Sequence, residues 1–186
     1  MMTMTDDTSE AEPSFTSLLV QHTPQLRAFA ISLSSSPTHA DDLVQETLMR
    51  AWKNRDKFED GTNIKAWLLT ILRNIYFNHW RRQKRSPITG SDEHLMFAST
   101  GEEQSSHMEL LDVGRLLSQL PDVQREAILL VAQEGMSYEE VAEITGCAVG
   151  TVKSRVNRGR NTLAELMESS QDEIPTGDRS PGRQVA

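Results

Sequence analysis

Residues 137–160, SYEEVAEITGCAVGTVKSRVNRGR, constrain the fold more than any other part of this chain. Ser137 and Glu140 stand at capping-box spacing, which starts a helix by satisfying orphan N–H groups reciprocally. Val141, Ala142 and Ile144 give that helix an apolar side, and Gly146 supplies the permissive backbone that ends it. A second helix is predicted to begin near Thr151. Val152, Val156, Gly159 and Leu163 recur at helical spacing and face a core. Lys153, Ser154, Asn157 and Arg158 are left outward, and no acid occurs from Cys147 to Ala164. A basic face on a helical hairpin can be plain solvated surface. Combined with the cap, the glycine turn and the acid-free second helix, it has the make-up of a helix-turn-helix that presents a recognition helix to duplex DNA.

The rest of the chain supports small helical units rather than one large core. It has 186 residues, 37% of them hydrophobic and 5% aromatic, and no strand pattern or internal repeat stands out. The single cysteine, Cys147, excludes a disulfide framework and any multi-cysteine zinc site. It falls in the turn, where a small buried thiol is the expected role. The segment 1–13 is acidic and lacks the apolar core of a secretory signal. No run approaches the roughly 20 apolar residues of a membrane span. A cytoplasmic protein without a membrane partner is expected. The net charge of −8 argues against a generic nucleic-acid coat, so charge distribution matters more than its sum.

That distribution divides the chain. Residues 1–13 are expected to be a disordered tail, and residues 14–86 a first helical domain. Within it, Leu26, Phe29, Ala30 and Leu33 continue the pattern of Phe15, Leu18 and Leu19, with Thr23-Pro24 as a break or a new helix start. A helix from about Thr38 to Arg55 places Val44, Leu48, Ala51 and Trp52 on one side. A polar loop precedes a long helix from about Asn63 to Lys84, apolar early (Ile64, Trp67, Leu68, Ile71, Leu72, Ile75) and basic at its end. From Ser86 to Gly114 there is no Lys or Arg, but there are six acids: Asp92, Glu93, Glu102, Glu103, Glu109 and Asp112. Residues 87–112 therefore read as a flexible acidic linker, 113–168 as a second domain, and 169–186 as a disordered tail. Pro121 suits a first helical position in the support helix. The fold class is all-α, two small domains, the second containing the helix-turn-helix.

A second acid-free run, RNIYFNHWRRQKR from Arg73 to Arg85, interleaves aromatics with cations. Such a mixture suits unstacked bases and a phosphate backbone. Asn74 and Asn78 share a helix face and can bond base edges. Tyr76 and Phe77 fit a core role. Trp80, Arg81 and Arg82, with Lys84 and Arg85, fit nucleic-acid contact. Asp42 and Glu46, one turn apart, could hold a divalent cation, but helical carboxylate pairs are more often surface or interface features. The histidines (His22, His39, His79, His94, His107) show no ligand spacing. No nucleotide loop or nucleophilic triad is legible. No catalysis, cofactor, metal or small-molecule substrate is expected.

In this order, HADDLVQETLMRAW, IKAWLLTILRNIYFNHWRR, the acidic linker and LPDVQREAILLVAQEGMSYEEVAEITGCAVGTVKSRVNRGRNTL resemble the bacterial extracytoplasmic-function sigma factors. The resemblance covers residues 14–166, and its details are similar to the alphaproteobacterial general-stress-response subgroup. It implies a promoter-specificity subunit of RNA polymerase. Asp42, Leu43, Gln45 and Glu46 would bind the clamp helices of the largest polymerase subunit. The loop Phe58–Asn63 would pocket a base extruded at the −10 element, with Phe58 and Asn63 at its ends. Asn74 and Asn78 would contact bases nearby, while Trp80, Arg81 and Arg82 track the backbone. Lys153, Ser154, Asn157 and Arg158 would read the −35 element, with Thr151 and Arg155 near phosphates. The linker would thread into the polymerase channel, and a small anti-sigma protein would cover both domains. One departure stands out: Gly159 occupies a place where the family more often has alanine. Three other readings stay open: a stand-alone helix-turn-helix regulator, a sigma mimic that titrates an anti-sigma factor, and a metal-dependent nuclease built on Asp42 and Glu46.

Overall fold

The computed structural model describes residues 14–85 and 113–172, so the predicted linker and N-terminal tail lie outside the described residues. All regular structure among the described residues is helical, and the chain divides into two compact units.

The first unit is built on α1 (Phe15–Ser34), α2 (Pro37–Lys53) and α3 (Ile64–Arg85). Ser14 caps α1 by accepting from Ser17 N–H, and Ser36 caps α2 by accepting from His39 N–H, with Pro37 in its first turn. Asn63 Oδ1 accepts from Ala66 N–H at 3.0 Å, which starts α3. Leu26, Phe29, Ala30 and Leu33 of α1 meet Ala40, Val44 and Ala51 of α2 and Leu68, Leu69, Leu72 and Ile75 of α3, all buried. Thr47 is also fully buried; its hydroxyl donates to Leu43 O at 2.7 Å, which removes the penalty of an orphaned polar group.

Two expectations fail in this unit. Pro24 does not break the chain: α1 runs through it. Proline deprives the carbonyl four residues back of its donor, but that residue, Val20, is 68% exposed and water can serve instead. The continuous burial of Leu19, Leu26, Phe29 and Leu33 outweighs the lost bond. Trp52, expected on the buried side of α2, is 50% exposed. The face that packs is set by Ala40, Leu43, Val44, Thr47 and Ala51, which leaves Trp52 at the edge. There its ring meets Phe15 at 6.3 Å and the Arg55 guanidinium at 5.1 Å.

Residues 113–172 comprise a short helix α4 (113–118), α5 (Asp122–Ile128), a π-helical turn (Leu129–Gln133), α6 (Tyr138–Thr145) and α7 (Val149–Asp172). Pro121 is not the first helical residue. It stands just outside α5 with extended ψ of 137°, and its carbonyl accepts from Gln124 and Arg125 N–H. α7 starts two residues before the predicted Thr151, and runs to Asp172, past the predicted end near Ser169. The capping box forms: Glu140 Oε2 accepts from Ser137 N–H at 2.9 Å and Ser137 Oγ from Glu140 N–H at 3.2 Å. Gly146 has φ of +64°, the left-handed conformation that ends α6. Val141, Ile144, Val152 and Val156 are buried as predicted, while Leu163 is half-buried. Arg125 and Glu126 are also buried; Arg125 Nη2 donates to the carbonyls of Ser118 and Leu120 and lies 3.3 Å from Asp122 Oδ1.

Gly159 explains its own identity. A Cβ there would fall 2.5 Å from Ile128 Cδ1 and 3.4 Å from Gln124 Cβ, so α7 crosses α5 at a distance that suits hydrogen best. Overpacking costs about 1–3 kcal/mol, and alanine's better helix propensity returns about 1. Gly159→Ala is therefore expected to destabilise the second domain by about 1 kcal/mol. Ile128→Val, which removes the obstructing methyl, should abolish that penalty in the double variant. All three tryptophans lie in the first domain, so far-UV circular dichroism should register the change in chemical denaturation while tryptophan fluorescence does not. An unchanged or raised stability in Gly159→Ala would refute the packing role.

Candidate nucleic-acid and protein interfaces

On α2 the packing that buries Leu43, Val44 and Thr47 turns Asp42 and Gln45 outward, with Glu46 half-buried beside them. Leu43 is only 5% exposed, so it fixes this face from beneath rather than presenting itself. Met49, 63% exposed and one turn further on, extends the face with an apolar side chain that sequence reasoning overlooked. Its signal was an apolar residue three places after Glu46, outside the buried stripe.

The charged groups on this face are tied to neighbours. Glu46 pairs with Arg50 on its own helix, and its Oε2 lies 3.4 Å from His79 Nε2 on α3. Asp41 accepts from Arg27 Nε at 2.6 Å, linking α2 to α1. The Arg27 hydrogen bond holds the Asp41 carboxyl below the usual carboxylate range. No cluster of three His, Cys, Asp or Glu among the described residues could hold a metal ion. Glu46 faces two potential cations rather than a second ligand, which suits a protein contact better than the nuclease reading.

Phe58 follows the short 3₁₀ turn Arg55–Lys57 and packs into an aromatic cluster. Its ring centroid is 5.4 Å from Trp67 and 6.0 Å from Phe15. The ring thus anchors the chain where the loop 59–63 begins; that loop turns at Gly61 (φ +82°) and is held by Thr62 Oγ1 donating to Glu59 O at 2.7 Å. Asn63 commits its side-chain oxygen to the α3 cap at the end of this loop. Asn74 and Asn78 are both exposed on α3, as their spacing predicts. Asn74 Oδ1 accepts from Arg73 Nη1 at 3.1 Å, which orients that amide. Phe77 is core, with the Arg73 guanidinium 5.0 Å from its ring centroid. Tyr76 and Trp80 are half-buried. With Ser34, His39, Asp42, Leu43 and His79 they line an open cavity of about 420 Å³. Arg81 and Arg82 are exposed. The aromatic side of Trp80 is therefore turned partly toward α2 instead of standing free.

In the second domain, burial of Val152 and Val156 aims Lys153, Asn157 and Arg158 into solvent, with Ser154 half-exposed alongside. These four form one polar, cationic stripe along α7. Lys153 Nζ lies 5.9 Å from the Tyr138 ring centroid, so α6 steadies it. Thr151 is exposed in the first turn of α7, where backbone N–H groups and the helix dipole favour a phosphate. Arg155 turns back: its Nη1 is 3.7 Å from Cys147 Sγ. Cys147 is half-buried rather than fully sequestered.

Comparison with known proteins matches both units. Residues 18–86 match the Sigma-70 region 2 family and residues 110–163 the Sigma-70 region 4 family. The chain is 48% identical over 144 residues to the ECF RNA polymerase sigma factor EcfG of Rhodopseudomonas palustris, covering 77% of this chain and 80% of that one. It is 36% identical over 139 residues to the ECF sigma factor SigC of Mycobacterium tuberculosis, 73% and 72% of the two chains. Among solved structures, the sigma factor RpoE of Bartonella quintana, in complex with the anti-sigma factor NepR, aligns with a TM-score of 0.73 and 46% identity, over 83% of this chain and 96% of that one. CnrH in complex with the cytosolic domain of CnrY aligns with a TM-score of 0.63 and 30% identity, over 83% and 88%.

The exposed stripe on α7 gives a graded expectation for duplex DNA selected from a randomised library. Arg158→Ala or Asn157→Ala should cost about 1–3 kcal/mol on the preferred sequence and relax preference at one base pair. Lys153→Ala should relax preference at a neighbouring base pair and, by removing a cation, also reduce the slope of log affinity against log salt by about 1. Uniform loss in all three variants would reduce the whole stripe to phosphate contacts.

Proposed function

We propose, on the premise that this chain belongs to the extracytoplasmic-function sigma factors of bacterial RNA polymerase, a division of labour between its two domains. The protein directs promoter-specific initiation of transcription. In the first domain, Asp42, Gln45 and Glu46 dock on the clamp helices of the largest polymerase subunit, with Leu43 supporting them from below. Phe58, Asn63, Asn74 and Asn78 engage the −10 element, and Trp80, Arg81 and Arg82 follow its backbone. In the second domain, Lys153, Ser154, Asn157 and Arg158 read the −35 element in the major groove, with Thr151 against a phosphate. Arg155, whose Nη1 faces Cys147, has its remaining guanidinium N–H groups to offer a phosphate. The protein acts in the cytoplasm, has no catalytic activity of its own, and serves the general stress response. A small anti-sigma protein holds it inactive, as NepR and CnrY are partners of the related sigma factors.

The observation that carries this reading is the pairing of two outward faces on separately folded helical units. One is an acidic-polar ridge on α2, the other a cationic ridge on α7, and each is left exposed by the apolar stripe that buries its helix. Melting must then be driven by binding. Unstacking a base costs a few kcal/mol per step, and capture of the extruded base offsets it. Either DNA face alone is small, so avidity arises only when polymerase holds both in reach of one promoter. A stand-alone regulator would leave the α2 ridge and the α3 basic end without a role.

Run-off transcription with core RNA polymerase on a genomic promoter library tests the reading. Addition of the protein should yield transcripts that share two spaced upstream elements, and duplex binding by the free protein should be weak. Absence of stimulated transcripts, together with capture of an anti-sigma protein, would identify a mimic instead.

A further inference from the structure

The residue that joins the two faces of the first domain is His79. It stands on α3 between Asn78 and Trp80, two residues assigned above to promoter contact. Its Nε2 lies 3.4 Å from Glu46 Oε2 on α2, a residue assigned to polymerase contact. The Glu46 side chain is 29% exposed and is gripped from both sides. Arg50 Nη2 donates to Oε1 from one helical turn away, and His79 approaches Oε2 from the neighbouring helix. An ionised carboxylate accepts about four hydrogen bonds, so each oxygen keeps a lone pair for a partner donor. Beside this pair, Asp42, His39 and Trp80 line the open cavity that also reaches His79.

From this geometry we infer that His79 is a positioning residue for polymerase binding: from the promoter-reading helix α3 it holds the Glu46 carboxylate of the docking helix α2 in the docked orientation. A long flexible side chain loses rotamer freedom when it is captured at an interface, and a carboxylate already hydrogen-bonded by Arg50 and faced at 3.4 Å by the His79 ring nitrogen loses less. An exposed ion pair adds little to the stability of the fold itself. The consequence falls on affinity for the polymerase, not on folding. Arg50 alone, on the same helix as Glu46, cannot convey the position of α3; His79 can. The inference rests on the assignment of the α2 ridge to polymerase.

The test is a double-variant cycle on the full chain, with each variant competing against labelled wild type for core RNA polymerase. Glu46→Gln should weaken binding about tenfold and His79→Ala about fivefold, and His79→Ala should have no further effect on the Glu46→Gln background. His79→Gln, whose Nε2 can occupy nearly the same place, should stay within about twofold of wild type. Thermal unfolding of the first domain, followed by tryptophan fluorescence, should be unchanged in His79→Ala. Equal losses from His79→Ala in the wild-type and Glu46→Gln backgrounds would overturn the inference. So would failure of His79→Gln to restore affinity, or a harmless His79→Ala beside a damaging Glu46→Gln. If neither single variant weakens binding, the α2 ridge is not the polymerase face, and the inference falls with that assignment.

Discussion

Burial of one apolar stripe on α3 sets the rotation of every helix in the first domain. Leu68, Leu69, Leu72 and Ile75 are at most 1% exposed, and such side chains contribute about 1.5–3 kcal/mol each when removed from water. A rotation of α3 by one residue would lift several of them into solvent. Because that cost forbids the rotation, Asn74, Asn78, Arg81 and Arg82 have no choice but to face outward. The same logic fixes α2, where Ala40, Val44, Thr47 and Ala51 are fully or nearly fully buried. Asp42 and Gln45 then point away from the core. Functional side chains in this domain are positioned by the residues that do not touch partners.

The second domain reaches the same result with less material. Its recognition helix is held by Val152 and Val156 and by the close crossing at Gly159. The reciprocal hydrogen bonds of Ser137 and Glu140 and the left-handed Gly146 define where α6 begins and ends. They thereby define the angle at which α7 departs. Arg125 supports the same corner from inside: its guanidinium gathers the carbonyls of Ser118 and Leu120 at the entrance to α5. A buried cation thus satisfies carbonyls left over in the turn before α5, while the first N–H groups of α5 are left to the Pro121 carbonyl, which accepts from Gln124 and Arg125.

Patterns that depend on neighbours along one helix were legible in the sequence. The capping box, the glycine turn, the stripes on α2, α3 and α7, and the exposure of Asn74 and Asn78 all follow from three- and four-residue spacing. What depended on a second helix was not legible. Pro24 reads as a break unless one knows that Val20 is on the wet side and that the helix is held at both ends by buried leucines. The burial of Arg125 and Glu126 has no signal in the helical spacing, because the carbonyls around Arg125 come from a turn several residues away. Trp52 reads as core because a one-residue difference in the packed face cannot be seen in a list of apolar residues. Leu43 belongs to a motif that resembles a partner-binding segment, yet its burial makes it a support. Arg155 reads as a phosphate contact from its place on α7, but the turn brings Cys147 within reach of it. Resemblance to the family marked Gly159 as unusual, where alanine is more frequent; only the position of Ile128 supplied the reason.

A chain with a net charge of −8 can still bind DNA because its cations are concentrated where the helices are exposed. Arg81 and Arg82 stand near the end of α3, and Lys153 and Arg158 stand along α7, while exposed acids such as Asp42 occupy the opposite role on α2. The overall negative charge opposes non-specific adsorption to nucleic acid, and the local patches alone are too small to overcome it. On the proposed division of labour, such a protein gains promoter affinity when the polymerase brings both patches to one duplex. Weak intrinsic binding would then serve specificity: a subunit that bound DNA tightly alone would occupy promoters without a polymerase to use them.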